Sequence, residues 1–71
     1  MTEKQKKAVQ EWARKIGSHR AKARLIERRL STSMVERIVK GAYDHELQGG
    51  NLTVLIEELA TDGFQLADEA S

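Results

Sequence analysis

The chain contains no cysteine and no proline, has a single Trp, Tyr and Phe, and carries no basic residue beyond Lys40. Each absence excludes something. Without cysteine there are no disulfides and no thiolate metal sites, and two histidines, His19 and His45, supply no credible ligand set, so no metal and no cofactor are expected. Without proline no segment is barred from helix, and helical periodicity can be tested along the whole length. One residue of each aromatic type is too little for the stacking platforms that hold single-stranded nucleic acid. No apolar stretch approaches the roughly 20 residues of a spanning helix. The charged start Met1-Thr2-Glu3-Lys4-Gln5-Lys6-Lys7 lacks the apolar core of a secretory signal. A reducing, cytoplasmic setting with no membrane partner is therefore expected.

What is present is a division of charge. Residues 1–40 hold all twelve Lys and Arg against Glu3, Glu11, Glu27 and Glu36, a balance of +8. Residues 41–71 hold seven acidic residues and nothing basic, a balance of −7, so the net charge of +1 conceals a strongly polarised molecule. Such a field suits a module that turns one face to a polyanion, and nucleic acid is the first partner to consider. At 71 residues the chain makes one domain, residues 1–71. A domain of that size buries only about 60% of its unfolded surface, and self-association is a common source of further stability.

Apolar spacing predicts an all-α domain of four to five helices. Val9, Trp12, Ala13 and Ile16 fall at i, i+3, i+4 and i+7 in a helix over about 2–16. Gly17 ends it and Ser18 can cap the next, over about 19–30, with Ala23, Ile26 and Leu30 inward and Arg20, Arg24 and Arg28 forming a basic ridge. Ser31-Thr32-Ser33 interrupts the pattern, with Ser31 or Ser33 as N-cap of a third helix over about 32–40. Val35, Ile38, Val39 and Ala42 repeat there at i, i+3, i+4 and i+7, and Gly41 supplies the stop. Residues 42–51, with the expensive Gly49-Gly50 pair, read as a loop. A fourth helix follows over about 52–61, with Leu52, Leu55, Ile56, Leu59 and Ala60 inward, and Asp62-Gly63 ends it. Phe64, Leu66 and Ala67 are expected to fold back as a last turn, and residues 68–71 to fray.

The third helix is the most informative. With Val35, Ile38 and Val39 packed inward, Thr32, Ser33, Glu36, Arg37 and Lys40 are left to point outward. These types suit the reading of a groove: Arg pairs with guanine, Ser and Thr bind bases or phosphates, and Glu accepts from cytosine N4. Gly17-Ser18, the run from Leu30 to Gly41 and the run from Asn51 to Ala60 resemble, in that order, the Cro and phage-repressor type of helix-turn-helix protein, over about residues 17–66. The resemblance implies a helix-turn-helix over about 19–40. Ser31 would cap the recognition helix, Thr32, Ser33, Glu36 and Arg37 would face bases, and Val35 and Ile38 would lock the helix to the core. That family usually has glycine just before the Leu30 position, where this chain has Arg29. A second register, with residues 32–40 as the positioning helix, would need a recognition helix within the Gly49-Gly50 loop.

The reading that follows is a double-stranded DNA-binding transcriptional regulator, such as a repressor, bound as a homodimer to half-sites about one turn apart. Ser18, Arg20, Lys22, Arg24, Arg28 and Lys40 would contact the DNA backbone, and Val54 and Phe64, off the main stripe, would be candidates for the dimer contact. The same ridge could instead be a solvated face paired with carboxylates. Trp12 belongs to an apolar stripe and reads as core. Asp44-His45-Glu46 lacks a second shell, the glycine pair lacks the Lys-Ser or Lys-Thr of a phosphate loop, and no nucleophile, base and orienting group can be assembled. No enzymatic activity or small-molecule substrate is expected. A helical protein adaptor, or an inhibitor of a regulator, and a shape-reading RNA-binding protein are the competing readings.

Overall fold

The computed structural model describes residues 1–66, which form four helices: α1 (Glu3–Ile16), α2 (Ser18–Glu27), α3 (Thr32–Lys40) and α4 (Gly49–Thr61). The domain is all-α, with no strand among the described residues. α1, α2 and α3 pack against one another, and α4 docks on α2. No helix is long and apolar enough to cross a membrane, among the described residues.

α1 is integral to the core. Thr2 and Gln5 close a reciprocal capping box, Gln5 N–H donating to Thr2 Oγ1 at 3.1 Å and Thr2 N–H to Gln5 Oε1 at 3.0 Å. Val9 and Trp12 are completely buried and Ala13 nearly so, while Ile16 is half-buried at the end of the stripe. A single residue, Gly17, then separates α1 from α2. It is itself the N-cap, at φ 97, and Ser18 is the first helical residue, making no capping bond. The expected Ser18 cap is thus displaced by one position.

The core stripe of α2 also differs from the expected one. Ala21 and Leu25 are buried, whereas Ala23 is exposed and Ile26 is 41% exposed. The helix stops at Glu27, so Leu30, though buried, reaches the core from beyond the turn and does not define the helical face. The turn closes as a Schellman motif: Arg29 N–H donates to the Ile26 carbonyl (2.9 Å) and Leu30 N–H to the Leu25 carbonyl (3.3 Å), with Arg29 left-handed at φ 72.

α3 follows its sequence pattern closely. Ser31 is the N-cap, its hydroxyl accepting from Met34 N–H at 3.3 Å, and Val35, Ile38 and Val39 are buried. Gly41 closes it at φ 78, and Ala42, turned out by that reversal, is exposed instead of extending the stripe. Gly41 also lies against Gln10: a Cβ built there would stand 2.4 Å from the Gln10 amide nitrogen.

The glycine pair, expected in a loop, opens α4. Leu47 is buried and anchors the approach, and Leu55 and Leu59 continue into the core, so burial outweighs the roughly 1 kcal/mol that each glycine costs a helix. Leu52 and Ile56 are half-buried, while Ala60, expected inside, is exposed. After Asp62, Gly63 N–H bonds to the Ala60 carbonyl (3.0 Å) and Phe64 N–H to the Leu59 carbonyl (2.9 Å). The chain therefore turns back without a further helical turn, placing Leu66 in the core and Phe64 half-buried beside it. The expectations for Ala67 and for fraying over 68–71 lie outside the described residues.

Candidate nucleic-acid interface

Thr32, Ser33, Glu36, Arg37 and Lys40 are all exposed. They belong to a helix held by three buried residues at i, i+3 and i+4, so Ser33, Arg37 and Lys40 fall on the side opposite the core and Thr32 and Glu36 on one flank. The polar face anticipated from spacing is thus one contiguous surface. α3 follows α2 after only four residues, Arg28 to Ser31, whereas eight residues, Gly41 to Gln48, separate α3 from α4.

The basic ridge of α2 divides in two. Arg24 Nε donates to Glu58 Oε1 at 2.9 Å, and its terminal nitrogen to Asp62 Oδ2 at 2.6 Å. Arg28 bonds Glu58 Oε2 at 2.7 Å and Glu57 Oε1 at 2.6 Å. Trp12, fully buried, donates its indole N–H to Asp62 Oδ2 at 2.8 Å, and the Arg24 guanidinium lies over its ring, 5.6 Å from the centroid. Desolvation works against the Arg24 charge, but its bonds to Asp62 and Glu58 outweigh it and hold its pKa above the ordinary arginine value. The hydrogen bond from Trp12, followed by that from Arg24, lowers the pKa of Asp62. Arg24 and Arg28, expected as backbone contacts, are thus structural residues that fasten α4 to α2. Each arginine bridges two carboxylates, and Glu58 accepts from both arginines, through charge-assisted hydrogen bonds that are stronger than neutral ones.

Arg20 is exposed and Lys22 half-buried, and neither forms an ion pair among the described residues. Ser18 is exposed at the first turn of α2, whose backbone N–H groups have no side-chain cap. Beside it lies a residue that spacing did not single out. Arg14 shares a shallow depression with Gln10, Ala13, Gly17, Ser18 and Val39, between the end of α1, the start of α2 and the second half of α3. The Gln10 amide donates to the Lys40 carbonyl at 3.2 Å, tying α1 to the end of α3. The signal available in sequence was Gln10 and Arg14 at i and i+4, flanking Ala13 on a helix otherwise read only for its core face.

Elsewhere, Asp44 is paired with Lys6, and the Tyr43 and His45 rings meet edge to face, 5.4 Å between centroids. No group of three or more His and carboxylate side chains is placed to hold a metal, among the described residues. A second depression, lined by Ile56, Ala60, Gly63, Phe64, Gln65 and Leu66, lies along α4. Val54 and Phe64, the expected dimer contacts, are both half-buried. No family model, curated protein or solved structure matches the chain.

Proposed function

We propose that this chain is a sequence-reading, double-stranded DNA-binding protein that inserts α3 into the major groove and regulates transcription by occupying its site. The observation that carries the reading is the α2–α3 unit: a four-residue turn with one left-handed residue, then a helix pinned by Val35, Ile38 and Val39 whose opposite side offers Ser33, Arg37 and Lys40. Thr32, Ser33, Glu36 and Arg37 are the base-contacting set, with Arg37 able to pair bidentately with guanine. Ser18, Arg20, Lys22 and Lys40 are the backbone-contacting set, joined by Arg14. Arg24 and Arg28 leave that set because α4 carboxylates already hold them. No catalysis is part of this reading, and it places the protein on cytoplasmic or nucleoid DNA.

One module makes few base contacts, so binding as a homodimer follows from the same reading. α4 has a suitable flank. Glu58 and Asp62 are directed to α2, and Glu57 is held by Arg28. Leu52, Ile56 and Ala60, at i, i+4 and i+8, therefore form an uncharged stripe of α4 beside Phe64, over whose ring the Lys15 ammonium lies 5.4 Å from the centroid. Two copies could meet along this stripe without opposing α4 carboxylates.

Selection of bound sequences from randomised duplex DNA at low and moderate salt tests the proposal. A palindromic site with half-sites roughly 10 base pairs apart is the expected result. Recovery of unselected DNA alone, lost as salt rises, would leave a charge-driven contact and overturn sequence reading.

A further inference from the structure

Two outliers of this molecule lie three residues apart at one helix end. Among the described residues, Ile26 is the only large hydrophobic side chain that is exposed, at 41%. Among the described residues Arg29 is also the only one other than glycine with positive φ; the other four are Gly17, Gly41, Gly49 and Gly63. The two are joined directly, since Arg29 N–H donates to the Ile26 carbonyl at 2.9 Å. Glycine occupies four of these five positions, and at the fifth stands an exposed arginine. An outlier of this kind is a reason to look for a function of the side chain.

The intrachain contacts leave Arg29 available. Its neighbours Arg24 and Arg28 are held by Glu57, Glu58 and Asp62, whereas Arg29 and Lys22 form no ion pair among the described residues. Lys22 precedes Ile26 by one helical turn on the same face of α2, and Glu27 falls on a different face. Ile26 thus lies one helical turn after one cation without an ion pair and three residues before another. An anionic partner satisfies the cations, but a phosphodiester backbone offers nothing that would bury isoleucine. A protein segment carrying both carboxylates and an apolar side chain satisfies all three.

We propose that the Lys22–Ile26–Arg29 face at the end of α2 docks an acidic segment of a partner protein, with an apolar residue of that segment seated on Ile26. The proposal does not depend on the nucleic-acid reading: Ile26 and Arg29 lie outside the proposed DNA contacts, only Lys22 is shared with them, and the class of partner is different. Selection of randomised displayed peptides on the full chain tests it. Peptides in which Asp or Glu flank an apolar residue should be enriched. Their synthetic forms should lose on the order of tenfold in affinity with Arg29→Gly and with Ile26→Ser, the loss typical of a residue near the centre of a small contact. Arg29→Gly relieves the backbone, so loss of folding cannot account for that result. Failure to enrich any such peptide, or undiminished binding to both variants, would overturn the proposal. So would a duplex-DNA salt dependence that falls by about one phosphate on Arg29→Gly, which would assign Arg29 to nucleic acid instead.

Discussion

Replacing Arg29 by glycine should make this protein more stable, although it removes a long side chain from a position between two helices. Arg29 sits at φ 72 in a turn closed by two backbone hydrogen bonds, so its conformation is imposed by the α2–α3 connection. A side chain in the left-handed region costs roughly 1–2 kcal/mol relative to glycine. Glycine forfeits about 0.4–1 kcal/mol of that gain through the greater freedom it gives the unfolded chain. At the middle of both ranges the difference is a stabilisation of about 0.8 kcal/mol. In a domain of this size each kcal/mol moves Tm by roughly 4–8 °C, so thermal unfolding followed by circular dichroism should show a rise of about 3–6 °C. Arg29→Ala is the control, since it removes the charge but keeps Cβ. Arg29→Asn, whose side chain tolerates the left-handed region, should fall between Ala and Gly. A Tm that does not rise for Arg29→Gly would refute the reasoning. An equal rise for Arg29→Ala would refute it too, by tracing the gain to relief of charge repulsion in the basic half.

Other perturbations separate the roles of the remaining residues. Asp62→Asn keeps an acceptor for the Trp12 indole but loses the charge facing Arg24, so it should lower Tm at neutral pH. The folded-state pKa of Asp62 is lowered, so its contribution is complete above the unfolded value of roughly 3.9 and disappears as pH falls through the folded value. Melts monitored by Trp12 fluorescence should therefore show the two proteins converging below about pH 4; a constant gap would refute the assignment. Arg24→Ala strips a cation from Glu58 and Asp62, whose side chains are only 13% and 23% exposed, and should destabilise the fold while leaving the salt slope of DNA binding unchanged. Arg37→Ala should do the reverse, leaving Tm nearly constant and relaxing discrimination at one base position by about 1–3 kcal/mol, read by competition binding. Gly41→Ala forces a Cβ into the left-handed region and against Gln10, and urea unfolding should show a loss of about 1–2 kcal/mol. Adding Gln10→Ala should recover only the part due to the clash.

The sequence was most legible where a single physical pattern acts alone. α1 and α3 have an apolar stripe, a polar cap and a glycine stop that agree, and both helices form where that agreement places them. α2 misleads because its apolar residues are sparse. Ala21 and Leu25 make a stripe as regular as Ala23 and Ile26, and only packing against α1 and α3 decides between them. Gly49 and Gly50 mislead in a different way, since propensity opposes helix locally while Leu47, Leu55 and Leu59, spread over thirteen positions, favour it together. At the candidate interface, the outward face of α3 follows from its own periodicity. The fate of Arg24 and Arg28 does not, because their partners lie 29 to 38 positions further along the chain. Arg29 shows a third kind of limit: the sequence marks an absent glycine, but only the backbone angle identifies it as strain.

The fastening of α4 to α2 also has an order in time. A chain synthesised from its N-terminus presents its first forty residues, with a balance of +8, before any of the carboxylates that hold Arg24 and Arg28 have been made. Until Glu57, Glu58 and Asp62 emerge, both arginines are bare cations on an unfinished fold, and Trp12 lacks the acceptor for its indole N–H. The acidic half thus acts as a counter-ion supplied by the chain itself. Its arrival couples completion of the core to the pairing of two cations of the basic half.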